Sequence, residues 1–426
     1  MMENKSFAKK ALGWIGDNLV TLIFLAFTII GFSVSEVSFS WFLGELCGRL
    51  YRNGFLVLSL IIPVIAGLGM NFGIVVGAMA GQITVVFVRY FGIGDMGGFL
   101  LCMLLSVPLA VLFGWATGLL YNKTRGQEMI ASLIVGYFAN GLYQFLFLFV
   151  VGVIIKVPSN HPLIKPDGIG IRSTVDLGIA GKGGLKYALD NLGKIPFTHA
   201  VILIAAAILV FQVLRFFRAK QEMKLKKNRI MTAINIVLCV IVLAVCANAI
   251  VTKNSLTMVP KVPVVTMLII IALCVFTELL LKTKLGHDFK AVGQSQRIAE
   301  VSGINVDRTR IIAVILSTVL AAWGQIIFLQ NVGTLNTYNA HSQVGMFAVA
   351  SILVGGASTS KATVGQAIIG TILFNAMFIM SPEIGQAVFG QALLGEYFRT
   401  FMVYGVIGFA LGLYVWKENR KSKLTV

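Results

Sequence analysis

The chain is 426 residues long, 57% hydrophobic and only 12% charged, with a mean hydropathy of +0.88. Soluble domains carry about 25% charged residues, so this chain has too little charged surface to cover itself against water. Its apolar content suffices for on the order of ten helical spans of about 20 residues each. The net charge of +18 lies in short segments beside apolar runs, the distribution that orients membrane proteins and not a nucleic-acid footprint. An all-α, polytopic membrane protein is predicted, and a soluble enzyme or nucleic-acid binder is excluded.

The chain opens on Lys5, Lys9 and Lys10 and then an apolar stretch from Leu19 to Val34. A cleaved signal peptide shares that grammar, but many further spans follow, so an uncleaved first helix is expected. Apolar runs lie near 19–35, 54–70, 73–93, 98–121, 130–155, 199–217, 230–251, 263–281, 311–330, 344–358, 363–380 and 401–416. Two pairs are separated only by Met70-Asn71-Phe72 and by Thr359 to Ala362. About 10–12 transmembrane helices are therefore expected, with broken helices near 67–73 and 355–363.

Orientation follows from basic residues in short loops. The N-terminus, Lys123 and Arg125, the segments 215–229 and 282–310, and the C-terminus hold 22 of the 35 Lys and Arg residues. Both termini are thereby placed in the cytoplasm and the loop 156–198 outside. That loop is Gly-rich and carries Pro158, Pro162, Pro166 and Pro196, which suits a cap, a docking surface or a tolerated insertion. The basic run 218–229 suits contact with anionic headgroups.

Two glycine-punctuated segments interrupt apolar runs in corresponding halves of the chain: Gly67-Leu-Gly-Met-Asn-Phe-Gly-Ile-Val-Val-Gly77 and Gly355-Gly-Ala-Ser-Thr-Ser360. A broken helix at membrane depth must line a cavity or be buried in protein, and paired discontinuous helices point to a central pathway. Close packing of helices through glycine is the competing reading. The candidate pathway residues are Gly69, Asn71, Phe72, Gln82, Asn140, Gln144, Gly355, Gly356 and Ser358, with Thr359, Asn235, Asn248, Gln325, Gln330 and Asn375 as further polar residues inside runs. Amides without charge suit a neutral polar solute. Glu278 is the main acid inside a run, and its i, i+4 spacing to Lys282 suggests a paired helix end. An ion-coupled carrier would need a central acid, and none stands out.

Metal and catalytic chemistry have no legible basis. His161, His199, His287 and His341 are scattered without metal spacing. Cys47, Cys102, Cys239, Cys246 and Cys274 lie mostly inside apolar runs without a CxxC pair, and no nucleophile–base set is present. Gly355-Gly-Ala-Ser-Thr-Ser-Lys361 lacks the Gly-Lys-Ser/Thr ending of a phosphate-binding loop.

The segment 283–308 is polar yet patterned. Asp288 is a plausible N-cap and Gly303 a plausible C-terminal stop; between them Phe289, Val292, Ala299 and Val301 interleave with Lys290, Gln296, Arg297 and Glu300. A short amphipathic helix is expected. Phe289-Lys-Ala-Val-Gly293, Ala299-Glu-Val-Ser-Gly-Ile-Asn-Val306, Arg308 and the later Leu320-Ala-Ala-Trp-Gly324 resemble the coupling loop and following helix of ABC importer permeases. The ribose/galactoside branch of the branched-chain amino acid/sugar/nucleoside family is the most similar. Asn71-Phe-Gly stands where the sugar branch has Asp-Leu-Ser, Val354-Gly-Gly-Ala-Ser-Thr-Ser360 is similar to that branch's Gly-Gly-Thr-Ser segment, and Gly81-Gln82 distantly resembles the nucleoside branch.

The resemblance implies one permease domain over 1–426, with 156–198 an extracytoplasmic insertion and 283–306 a cytoplasmic coupling loop. It implies ATPase coupling through Asp288, Phe289, Lys290, Ala291, Val292, Gly293, Ala299, Ser302 and Gly303. Implied partners are ABC ATPase subunits, a second permease as homo- or heterodimer, a solute-binding protein and membrane lipids, in a bacterial cytoplasmic membrane. ATP and Mg would be held on the ATPase and no cofactor on this chain. The solute would be a sugar, with a nucleoside or vitamin as the alternative, and specificity would reside mostly in the binding protein. An ion-coupled secondary transporter is the more distant reading.

Overall fold

The computed structural model of the protein describes residues 18–158, 161–166, 169–179, 184–219 and 226–422. All twelve apolar runs overlap a helix. In chain order these are α1 (Leu19–Val34), α2 (Phe39–Leu58), α3 (Ile61–Ile65), α4 (Ile74–Tyr90), α5 (Asp95–Lys123), α6 (Glu128–Phe145, continued by a π turn), α7 (Phe197–Ala219), α8 (Lys226–Thr252) and α9 (Val264–Leu280). There follow α10 (Lys284–Gln294), α11 (Gln296–Val301), α12 (Val306–Val332), α13 (Val344–Val354), α14 (Val364–Phe389) and α15 (Ala392–Ser422).

Among the described residues seven helices are long and apolar enough to cross a membrane, or eight if α9 and α10 form one span bent by 73°; α1, α4 and α13 are shorter apolar helices. The expected ten to twelve spans thus resolve into full-length crossings accompanied by shorter ones. Residues 220–225 of the basic run 218–229 lie outside the described residues, as do Lys5, Lys9 and Lys10 of the basic N-terminus.

The chain divides into two compact units. In the larger one, comprising 1–36, 48–189 and 268–426, α4 buries most of its residues and α12 more than half of its own. They approach closely because Gly77 and Gly81 face the backbone of Thr318 and Ala322, leaving no room for a Cβ. By contrast α5 and α6 expose large apolar residues such as Leu104, Trp115, Ile134 and Phe138, as lipid-facing helices do. The first part of the 156–198 segment folds onto this unit. Its strand β1 (Thr174–Asp176) pairs antiparallel with a strand after α12, Thr334–Asn336; Leu163, Ile164, Ile171, Val175 and Leu177 are buried. In the smaller unit, 37–47 and 190–267, α7 packs on α8, Lys194–Ile195 pairs with Val262–Pro263, and buried Asp190 accepts a hydrogen bond from Thr266 Oγ1.

Both expected interruptions are non-helical, at 66–73 and 355–363. In the second, Gly355 lies against the Gln366 carbonyl and Gly370 against that of Ser351. Helices α13 and α14 are therefore antiparallel neighbours, and 355–363 turns the chain back between them. A further non-helical stretch, 337–343, precedes α13 and buries Thr337 and His341 completely.

Candidate functional site

The segment 283–306 forms two helices, not one. Thr283 Oγ1 accepts from Gly286 N to cap α10, and Ser295 Oγ accepts from Ile298 N to cap α11. Asp288 is consequently inside α10 and not the N-cap expected from the sequence; Thr283, with a hydroxyl before a helix start, carried the overlooked signal. Gly303 adopts φ +81° just after α11, as a helix stop requires.

Burial splits this segment into two faces. Phe289, Val292 and Ala299 are fully buried, with Ala291 packed on the same cluster, and Lys290 Nζ donates to the Leu281 carbonyl at 2.7 Å. Gly293 lies against the Ile65 carbonyl, and a Cβ on Gly67 would stand 2.7 Å from Gly293 Cα. The segment 283–306 is thus wedged onto the 66–73 break. On the opposite face Ile298 is 68% and Val301 86% exposed, beside exposed Arg297, Glu300 and Ser302. Arg125 joins this segment to α12 through Glu300 (3.4 Å) and Asp307 (2.6 Å), and both carboxylates hold its guanidinium pKa above the usual value.

Behind the wedge lies a buried polar chain. Asn71 Oδ1 accepts from Gly73 N at 3.0 Å and from the Tyr121 hydroxyl at 2.8 Å, while Phe72 N donates to Ser132 Oγ. Gly69, at φ +69°, turns the break beside Met129. Arg310 donates to the Tyr121 carbonyl at 3.1 Å and to Glu128 at 2.5 Å. Asn71 and Phe72 therefore stabilise the break, and the charged pair behind it is absent from the sequence reading, which took Arg310 as an orienting charge. Among the described residues no ion pair joins Glu278 and Lys282, both of which are exposed.

A second network surrounds Gln82. Its Nε2 donates to the Thr337 carbonyl at 2.6 Å and the Tyr143 hydroxyl at 2.8 Å. The His341 imidazole bridges Gln82 Oε1 (3.3 Å) and Asn140 Oδ1 (2.8 Å), and Gln144 reaches Asn140 at 3.5 Å. Gln82, Asn140 and Gln144 are thus brought together, with His341 between Gln82 and Asn140. Gly355, Gly356 and Ser358 lie apart in the α13–α14 turn, where Ser358 Oγ accepts from Lys361 N.

Beside α13 is a cavity of about 270 Å³ lined by Arg49, Arg52 and Asn53 of α2, by Gln343, and by Phe347 and Phe378 among others. No sequence motif marked it. The arginines fall on α2, which the apolar pattern begins only at residue 54, so its lining is set by the helix packing.

A model of the family described as branched-chain amino acid transport system / permease component matches residues 168–407. A stretch of 106 residues is 34% identical to the probable ABC transporter permease protein y4mJ of Sinorhizobium fredii (strain NBRC 101917 / NGR234), covering 25% of this chain and 31% of that protein. The chain thus spans about a third of the length of that curated relative. No solved structure matches. With more than half of its length matched, and with its helical, membrane-spanning architecture, the chain belongs to the permease component family of branched-chain amino acid transport systems.

Proposed function

We propose that the chain is the membrane-spanning permease subunit of an ATP-driven ABC importer, carrying a small polar solute of sugar type across a bacterial cytoplasmic membrane. It pairs with a second permease and binds two ATPase subunits at 283–306; ATP and Mg are held on those ATPase subunits, and this chain supplies no catalytic residue. A solute-binding protein delivers solute on the side of the 156–198 loop, and both termini are cytoplasmic. The observation that carries the reading is the two-faced segment 283–306: its inner face seats Gly293 against Gly67 and Ile65, and its outer face leaves Ile298 and Val301 uncovered. Closure of the ATPases would push this wedge onto the break and switch access to the pathway. Rings and amides around the 270 Å³ cavity favour a sugar-type solute, with a nucleoside or vitamin as the alternative within the family.

The test is uptake of radiolabelled galactose and ribose into proteoliposomes holding the permease with its genomic-neighbour ATPase and binding protein. Uptake that requires all three and ATP supports the reading. Uptake that persists without the ATPase and follows an ion gradient overturns it in favour of a secondary transporter.

A further inference from the structure

The non-helical stretch 337–343 is anchored along its length. Thr337 N and Oγ1 donate to the carbonyls of Ser173 (2.8 Å) and Arg172 (2.7 Å), and the Thr337 carbonyl accepts from Gln82. The Ala340 carbonyl accepts from Gln325 Nε2 at 3.3 Å, and His341 bridges Gln82 and Asn140. The same stretch lines the 270 Å³ cavity through Asn339, Ala340 and Gln343. At Asn339 the backbone is occupied, its N–H by Asn336 Oδ1 and its carbonyl by Ser342 Oγ. Gln343 stands before α13 without capping it. Both side chains are exposed, and among the described residues neither carboxamide has a hydrogen-bond partner.

The other polar side chains of the lining are engaged with the protein. Arg52 Nε donates to Asn331 Oδ1 at 3.0 Å, and the Arg49 guanidinium lies 5.6 Å from the Phe378 centroid; both arginines make further contacts within the chain. Asn53 donates to Asn375, and Ser351 Oγ donates to the Phe347 carbonyl. Asn339 and Gln343 therefore hold the two carboxamides whose donor and acceptor ends are both open. Phe347 follows Gln343 by four residues, so ring and amide share one side of the first turn of α13. Phe347, Phe374 and Phe378 pack on one another with centroids 5.0 to 6.0 Å apart.

A carboxamide both donates and accepts, which matches a hydroxyl at either end. Ring faces take up the C–H side of a carbon skeleton, and a few placed polar groups fix its orientation. From this geometry we infer that Asn339 and Gln343 read the solute: their amides bond hydroxyls on one edge of a neutral polyhydroxylated ring whose C–H face lies on Phe347. The anchors at Thr337, Ala340 and His341 hold the two amides in place before the solute arrives, which lowers the ordering cost of binding. The inference rests on the sugar-type reading given above and adds to it the two side chains that select among sugars.

The test is saturation-transfer NMR on the full chain in phosphatidylcholine nanodiscs, titrated with galactose, ribose and the singly deoxygenated forms of each. For the sugar that binds, ring C–H protons take the strongest saturation, and at least one deoxygenated form binds about tenfold more weakly than the intact sugar. Asn339→Ala and Gln343→Ala each weaken the intact sugar and each erase the difference between it and one deoxygenated form, the one lacking the hydroxyl that the removed amide bonded. A purely structural role would weaken all forms alike and leave the differences in place. Equal affinity of the intact sugar and all its deoxygenated forms for the unaltered chain overturns the assignment, as do differences that survive in both variants; the sugar-type reading stands in either case. If neither sugar binds the folded chain while ATP-driven uptake of one of them persists in proteoliposomes, the assignment to this cavity fails alone. If binding and uptake are both absent, the two readings fail together. Should either variant not unfold cooperatively, the comparison of intact and deoxygenated sugars on the unaltered chain decides.

Discussion

Arg310 and Glu128 form an ion pair at 2.5 Å with their side chains 1% and 10% exposed. The pair ties the start of α12 to the start of α6, and Arg310 also holds the Tyr121 carbonyl near the end of α5. Arg310 Nε and Nη1 are buried without a partner. The pair therefore clamps three helix ends immediately behind the break that Gly293 touches, at the cost of two unsatisfied donors.

Removing one partner of a buried pair leaves an uncompensated charge, which costs about 3–5 kcal/mol. Arg310→Met and Glu128→Gln are each expected to lower the thermal stability of the detergent-solubilised protein. The double variant Arg310→Met/Glu128→Gln recovers most of the loss, because no lone charge remains. Additive losses in a double-mutant cycle would show that the two side chains act independently.

Gly293 has no room for a side chain, since a Cβ there would meet the Ile65 carbonyl and stand 3.0 Å from Gly67 N. Gly293→Val is expected to displace α10 from the break. Membrane insertion is retained, because the spans themselves are untouched, while uptake per ATP hydrolysed falls by about tenfold or more. The check is parallel measurement of ATPase activity and solute uptake in proteoliposomes; unchanged uptake removes the coupling role of this contact.

The helices were legible because apolar runs of span length survive in the sequence whatever the tertiary structure. The interruption at 66–73 was legible for the same reason: glycines and Asn71 punctuate an otherwise continuous run. Pairings between distant positions were not. Glu128 and Arg310 are 182 residues apart and each sits at the polar edge of a run, where charges are expected for orientation alone. His341 lies in a stretch of ordinary loop composition, and only the return of the chain into the bundle brings it beside Gln82 and Asn140. The two-helix form of 283–306 was obscured because Phe289 and Val301 fit one apolar stripe, although the turn at Ser295 sends Phe289 inward and Val301 outward.

Gln82 accounts for several bonds at once, to Thr337, Tyr143 and His341. Gln82→Leu leaves the buried Tyr143 hydroxyl and Thr337 carbonyl without that partner, a cost of about 1–3 kcal/mol for each group left unmet. His341→Ala breaks the link to Asn140 and opens a void. Both variants are expected to unfold at lower temperature than the parent, read by tryptophan fluorescence in detergent, with Gln82→Leu the more severe. Unaltered melting in both would mean that water replaces the network without loss.

Ile298 and Val301 project from α11 largely uncovered by the described residues, so their replacement spares the fold. An apolar pair ringed by Arg297 and Glu300 is the pattern of a small interface centre, where a few buried residues dominate affinity. Ile298→Asp and Val301→Asp are each expected to leave melting temperature and membrane level unchanged, while co-purification of the ATPase subunit falls by about tenfold or more. Phe289→Asp behaves in the opposite way: its ring is buried, so a carboxylate there destabilises the permease itself. Pull-down of the ATPase with each tagged variant, normalised to folded permease, separates the two classes. Loss of the ATPase only in the Phe289 variant would move the docking face away from α11 and leave the wedge as a purely internal support.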